Sequence, residues 1–286
     1  MMIVYLNGDY MDSNKAMISP LDRGFIFGDG IYDVTPSYDG RMVGFKLHLD
    51  RMKKGLHDIG IMNPFTDDQW YEIALNLSKK NGGKNLGIYF HVSRGNESSR
   101  FHGFNSKTSP TVFGMVIEID PHPAIPNRKI KKGLRVITSE DLRWKRCNIK
   151  STALLGNVLH FQESFSLKKD ETIMYNSNNE LTEASCSNVF IVKKGIVSTP
   201  ILDHQILPGI SRAMTIESLR SEGSIEVLER IVTMDEVHNA DEVWITNSSK
   251  HIAPVVEIDN KPVGDGFVGE IWEKSMNIYE DSKYDF

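Results

Sequence analysis

Three prolines fall within the seven residues Asp120-Pro121-His122-Pro123-Ala124-Ile125-Pro126. Each proline fixes its own φ, removes a backbone donor and pushes the residue before it towards extended backbone. Neither a helix nor a central strand can run through such a stretch. The spacing predicts a linker over 121–126, a first domain over 1–120 and a second over 127–286. The chain has 286 residues, which at roughly 150 per domain also gives about two.

Strand and helix signals alternate irregularly on both sides of the break. Asn7-Gly8 follows the apolar run Ile3–Leu6 and reads as a hairpin turn. Tyr38-Asp39-Gly40 reads as a second turn, between Tyr32–Thr35 and a strand over Met42–Phe45. Leu49, Met52 and Leu56 recur at helical spacing within His48–Ile59, and Thr66 with Gln69 predicts a capped helix ending at Asn81-Gly82-Gly83. Strands are expected at 86–94 and 111–119. In the second half, strands are expected at 134–138, 171–176, 187–193, 225–230, 242–246 and 255–258. Helices are expected at 151–168, 211–222, 233–239 and 266–281. Without a strict βαβ rhythm, the class is mixed α/β, or α+β.

Composition narrows the function. Hydrophobic residues make up 40% and charged residues 25%, which suits a packed core and excludes disorder. The formal net charge of −5 gives no broad reason to bind nucleic acid or an anionic membrane. No apolar run approaches the ~20 residues of a membrane span. Met1–Tyr10 has no basic segment leading into a long apolar one, so a cytoplasmic setting is expected. Cys147 and Cys186 are too few for a disulfide framework and read as packing residues.

The common catalytic templates are absent. There is no GxxxxGK[ST], no GxGxxG opening a helix, no HExxH or CxxC spacing for a metal, and no GxSxG. Hard chemistry would therefore come from a cofactor without a glycine fingerprint. Lys150 ends a strand-like segment before the cap-like Ser151, with Arg143, Lys145 and Arg146 close in sequence. Cationic neighbours and burial lower a lysine pKa, which suits imine chemistry; a solvated charged loop is the alternative. Glu183 is one acid among small hydroxyl residues, either a ligand for a ring nitrogen or a solvated turn residue. Leu207-Pro208-Gly209-Ile210-Ser211 opens a helix whose free N–H groups could take a phosphate, or be simply capped. Thr246-Asn247-Ser248-Ser249 is a second possible phosphate cradle, and Phe27-Gly28-Asp29-Gly30 is a tight turn feeding a strand.

Six segments occur in order: LDRGFIFGDGIYDV (21–34), HLDRM (48–52), DLRWKRCNIKS (141–151), LTEASCSNVFIV (181–192), LPGISR and TNSSKHIAPV. Together they resemble the fold-type IV aminotransferases, which use pyridoxal 5′-phosphate, and within these the bacterial D-amino acid aminotransferases. The resemblance runs over nearly the whole chain. It implies a small N-terminal α/β domain, a larger C-terminal pseudo-barrel domain, a homodimer, and cofactor bound between the domains. Lys150 matches the Schiff-base lysine, Glu183 the partner of the pyridine nitrogen and Arg51 the phosphate clamp. Ile210, Ser211 and Ser248 match further phosphate contacts, with Ser249 beside them.

Tyr32 matches a tyrosine that binds the substrate carboxylate, and Arg100 and His102 match an Arg-x-His pair reaching in from the partner subunit. Here the 94–100 loop is one residue longer, and Ser99 stands where the family carries proline. It is therefore expected to hold Arg100 less rigidly. The implied reaction moves an amino group between a D-amino acid such as D-alanine and a 2-oxo acid such as 2-oxoglutarate. Branched-chain L-amino acid aminotransferases, (R)-amine transaminases, aminodeoxychorismate lyases and a catalytically inert relative remain alternatives. No metal is implied.

Overall fold

The computed structural model describes residues 2–82, 84–121 and 127–286. The linker expected over 121–126 lies outside the described residues except for Pro121. The described residues up to 121, together with 149–154, form one compact unit. Residues 127–148 and 155–285 form the other. Lys150 thus lies on a six-residue return to the first unit, flanked on both sides by segments of the second.

The first unit contains strands β1 (Ile3–Leu6) and β2 (Asp9–Asp12), helix α1 (Arg23–Phe27), strands β3 (Gly30–Tyr38) and β4 (Arg41–Met42), helices α2 (Phe45–Asp58) and α3 (Asp67–Asn81), and strands β5 (Asn85–Ser93) and β6 (Thr111–Glu118). Its six strands run in the order β2-β1-β6-β5-β3-β4, every pair antiparallel. The Asn7-Gly8 turn is as expected, with Leu6 opposite Asp9 and both turn residues at positive φ. The second strand after Tyr38-Asp39-Gly40 is shorter than expected. It stops at Met42, and Gly44 in the left-handed region turns the chain into α2 at Phe45.

Leu49, Met52 and Leu56 bury one face of α2. Thr66 and Gln69 form the expected reciprocal cap of α3. Asp67 and Asp68 in its first turn, with Lys79 and Lys80 in its last, oppose the helix dipole. Trp70 of α3 is fully buried, 5.0 Å from the Phe90 ring of β5, and centres this core.

The second unit contains β7 (Leu134–Glu140), α4 (Leu155–Ser166), β8 (Glu171–Tyr175), β9 (Leu181–Ala184), β10 (Asn188–Lys193), β11 (Ile196–Thr199), α5 (Ile210–Glu222), β12 (Val227–Glu229), α6 (Met234–His238), β13 (Glu242–Asn247), β14 (His251–Ile258), β15 (Lys261–Pro262) and α7 (Glu270–Ser282). Eight strands run β12-β11-β10-β13-β14-β7-β8-β9, and β15 pairs with β14. The sheet is mixed, with parallel pairs β11/β12, β14/β7 and β7/β8. Val189, Ile191, Val243 and Ile245 build its core. Mixed α/β, the class expected from the sequence, is the class observed.

Two expectations shift. The fourth helix starts at Leu155, not Ser151, because Ser151 bridges Ile31 in the first unit instead of capping a helix. The strand expected from Val255 starts at His251, because a tight turn after Asn247 pairs His251 back onto β13. Among the described residues, no helix is long and apolar enough to cross a membrane.

Candidate active site

In the first unit, 149–154 is laid along the start of β3. Tyr32 N donates to Lys150 O at 3.1 Å, Thr152 N donates to Gly30 O at 2.9 Å, and the Thr152 hydroxyl donates to Gly28 O at 2.9 Å. Gly28, left-handed at the end of α1, has no room for a side chain: a Cβ there would lie 2.9 Å from Ala153 Cα. Lys150 Nζ donates to the Tyr32 hydroxyl at 3.3 Å and sits 4.3 Å from the centre of its ring. Backbone and side chain both tie Lys150 to Tyr32.

The next residue of β3 faces a cation. Arg51 Nε and Nη2 donate to the two Asp33 carboxylate oxygens at 2.9 and 2.8 Å, a bidentate pair that fixes the guanidinium plane. His48 Nδ1 lies 2.7 Å from Asp33 Oδ1. Burial by itself would raise the Asp33 carboxyl; Arg51 and then His48 overcome it and hold it well below the usual carboxylate range. Burial, aided by the Arg51 and Lys150 cations, holds His48 below the ordinary imidazole value against the pull of Asp33. Beyond Tyr32, Tyr89 stacks on its ring at 5.7 Å. Burial, then Tyr32, pushes the Tyr89 hydroxyl up to about 12.

The second unit carries Glu183 on β9. Arg143 Nη1 donates to its Oε1 at 2.6 Å, while Asn188 Nδ2 at 3.1 Å and Leu207 N at 2.9 Å donate to its Oε2. Burial outweighs the opposing pull of Arg143, and the carboxyl is pushed up to about 7. All three neighbours donate, so this shell serves the ionised form. A carboxylate has about four lone-pair sites, which leaves one for a further N–H.

Asn188 also donates to Leu207 O at 2.9 Å. A Cβ at Gly209 would meet Asn188 Oδ1 at 2.0 Å. Gly209 occupies the cap position of α5 and offers no side chain to it, so Ile210 and Ser211 open the helix with their amides uncapped by any side chain. Ser248 and Ser249 lie in the β13–β14 turn, where the Asn247 side chain accepts from the Ser249 amide and hydroxyl, both at 3.1 Å.

These features fit pyridoxal 5′-phosphate. A carboxylate ringed by donors suits a protonated ring nitrogen, an uncapped helix start suits a phosphate, and Lys150 supplies an amine beside a phenol.

The basic run before Lys150 is not arranged as expected. Lys145 and Arg146 are exposed. Arg143 grips Asp141 through Nε and Nη2 at 2.9 and 2.8 Å while also binding Glu183. The nearest polar partner of Lys150 is Tyr32. Sequence reasoning missed Asn188, Asp33 and His48 and gave Arg143 a different neighbour; Asn188 and His48 lie inside the motifs of Glu183 and Arg51, whereas Asp33 and Arg143 lie in those of Tyr32 and Lys150. Glu171 was missed as well. Fully buried on β8, it accepts from the Ser185 hydroxyl, from Cys186 Sγ at 2.8 Å and from the Ser187 hydroxyl at 3.3 Å. Cys147 and Cys186 are free thiols.

Arg100 and His102 lie in the exposed loop after β5, both against the Phe27 ring, at 5.1 and 5.3 Å.

Residues 30–258 match the family described as amino-transferase class IV. A D-alanine aminotransferase of Staphylococcus haemolyticus is 33% identical over 98% of both chains. Among solved structures, a branched-chain amino acid aminotransferase of Escherichia coli superposes with a TM-score of 0.89 at 19% identity, covering 99% of this chain and 94% of that one. A putative 4-amino-4-deoxychorismate lyase from Legionella pneumophila gives 0.81 at 22% identity, covering 94% and 97%. The chain belongs to the class IV aminotransferases and has their fold. It is a transaminase dependent on pyridoxal 5′-phosphate.

Proposed function

We propose that this aminotransferase exchanges an amino group between a D-amino acid, D-alanine among them, and a 2-oxo acid such as 2-oxoglutarate. The observation that carries this reading is the full-length identity to a D-alanine aminotransferase, together with the Lys150–Tyr32 pair held on β3. The branched-chain structures share the fold at lower identity and carry no substrate argument.

Pyridoxal 5′-phosphate supplies an aldehyde that takes up amines and a ring that stores the electron pair left when Cα loses its proton. In our reading Lys150 holds the cofactor through Nζ and, when free, carries the proton from and to the reacting carbon. The Tyr32 hydroxyl orients that amine. Glu183, held by hydrogen bonds from Arg143, Asn188 and the Leu207 amide that favour its ionised form, receives the ring N–H. Arg51, oriented by Asp33, takes the phosphate with the Ile210 and Ser211 amides and the Ser248 hydroxyl; Ser249 stands beside them. Tyr32, Arg100 and His102 receive the substrate carboxylate.

We assign the chain to a homodimer. The exposed face of α4 carries Leu155, Val158, Leu159 and Phe165, an apolar stripe at helical spacing that a second copy would cover.

The test is the visible absorbance of the enzyme loaded with pyridoxal 5′-phosphate. D-Alanine should bleach the band and L-alanine should not. Bleaching by L-leucine and not by D-alanine would replace this reading with the branched-chain one. A stable band that no amine bleaches would mean an inert binder.

A further inference from the structure

The loop from 97 to 108 lacks the proline that would stiffen it, yet a single buried side chain gathers its backbone. Arg23, in the first turn of α1, has a side chain 5% exposed. Its Nη1 donates to Phe101 O at 2.7 Å and Gly103 O at 3.2 Å, and its Nη2 to His102 O at 3.2 Å. Nη1 also reaches Glu97 Oε2 at 3.2 Å. Three consecutive carbonyls therefore converge on one guanidinium, and they belong to the residues that follow Arg100 and include His102.

The guanidinium is itself held. Arg23 Nε donates to Asp29 Oδ2 at 2.8 Å. Arg94, at the root of the loop, grips the same carboxylate through Nε at 2.8 Å and Nη2 at 3.0 Å. Arg94 also donates to Gly60 O and Ile59 O and lies 3.6 Å from the centre of the Phe104 ring. Asp29 thus joins two buried arginines, one at the loop's root and one under its tip. Phe27, four residues after Arg23, has the Arg23 guanidinium 4.8 Å from its ring centre and supports Arg100 and His102 as described above. Glu97 closes the far side, accepting from Asn105 N at 3.0 Å and the Thr108 hydroxyl at 3.2 Å.

We propose that Arg23 is a positioning residue for substrate recognition: through the carbonyls of 101–103 it sets the backbone from which Arg100 and His102 meet the substrate carboxylate. This rests on the reading that Arg100 and His102 bind that carboxylate. A planar guanidinium can serve three carbonyls, two carboxylates and an aromatic face at once; a lysine ammonium is a point donor and cannot. The FGDG turn acquires a physical task, because its Asp29 orients the clamp.

The experiment compares Arg23→Lys, Arg100→Ala and the double variant in the loaded enzyme. Arg23→Lys should raise KM for both amino and 2-oxo acid about tenfold, the size of one charge-assisted hydrogen bond, with kcat and cofactor absorbance kept. Added to Arg100→Ala, it should raise KM by less than it does alone, because only His102 is left to misplace. In the cofactor-free protein, trypsin should cut after Arg100 faster in Arg23→Lys than in the wild type. Glu97→Ala leaves the Arg23–Asp29–Arg94 set intact and should shift KM and cleavage the same way, so the outcome stands even where Arg23→Lys folds poorly. If Arg100→Ala leaves KM unchanged, the carboxylate reading itself fails. If Arg100→Ala raises KM while Arg23→Lys and Glu97→Ala do not, or the effects add in full, the clamp is overturned and the carboxylate reading survives.

Discussion

The Arg143 guanidinium lies 2.6 Å from the Glu183 carboxylate with both side chains buried, and Asp141 braces it from the other side. Such a pair is a poor source of net stability, but removing one partner is costly, because it strands a buried charge. Arg143→Met should destabilise the second unit by about 3–5 kcal/mol, read from urea unfolding. Glu183, already raised to about 7, should go higher still once the group that pulls its pKa down is gone, and so be mostly protonated at neutral pH. Unchanged unfolding and unchanged cofactor affinity would show that Arg143 is dispensable.

In the proposed reading Lys150 and Glu183 divide the chemistry, one moving the proton and the other holding the ring nitrogen charged. Lys150→Ala should lower turnover by at least ~10²–10⁴, the usual contribution of a positioned acid–base group. Glu183→Gln keeps the shape and an acceptor but loses the charge, so it should lower kcat more than it raises KM. Near-wild-type transamination by Lys150→Ala would sink the assignment of that residue.

What could be read from the sequence was local. Thr66 and Gln69 sit three residues apart, and Asn7-Gly8 carries its own turn preference, so neither needs the rest of the fold. The Lys150 segment does. Ser151 looks like a cap because a helical pattern follows, but its neighbours are chosen by Ile31 and Gly30, about 120 residues earlier, and the helix waits until Leu155. The basic run misled for the same reason. Arg143 is closer in sequence to Lys150 than to Glu183, yet it pairs with Asp141, two residues away just past β7, and with Glu183 on β9. The motifs nominated Lys150, Glu183 and Arg51 as site candidates; they could not show that Asp33 holds Arg51 or that Arg143 holds Glu183, because those are pairings across strands and helices.

Gly209 is required for space, since its φ of −65 is open to any residue. A methyl group there would overlap Asn188 Oδ1 and push away a side chain that donates to both Glu183 and Leu207 O. Gly209→Ala should cost about 1–3 kcal/mol of stability, as overpacking does, and weaken pyridoxal 5′-phosphate binding measurably by equilibrium dialysis. A variant with full cofactor affinity would show that Asn188 is not needed at Glu183.

Asp33 and His48 make folding sensitive to acid, and both act with the same sign. His48 is held below its ordinary value in the fold, so between that lowered value and ~6.5 the unfolded chain binds a proton that the native state refuses. Asp33 repeats this lower down: its folded carboxyl stays ionised while the unfolded one protonates near ~3.9. More protons on the unfolded state mean that stability rises with pH. From these two groups stability should fall as pH drops below ~6.5 and fall faster below ~4, while Glu183, raised to about 7 in the fold, takes up its proton first in the native state and opposes the upper step. His91, also held low chiefly by burial, adds to the upper step. Urea unfolding of wild type and His48→Gln at pH 7.5, 5.5 and 4 separates the contributions. The gap between wild type and variant should close from pH 7.5 to 5.5, because glutamine cannot take up the proton. A constant gap would place the His48 titration outside this range and remove it as a cause of acid sensitivity.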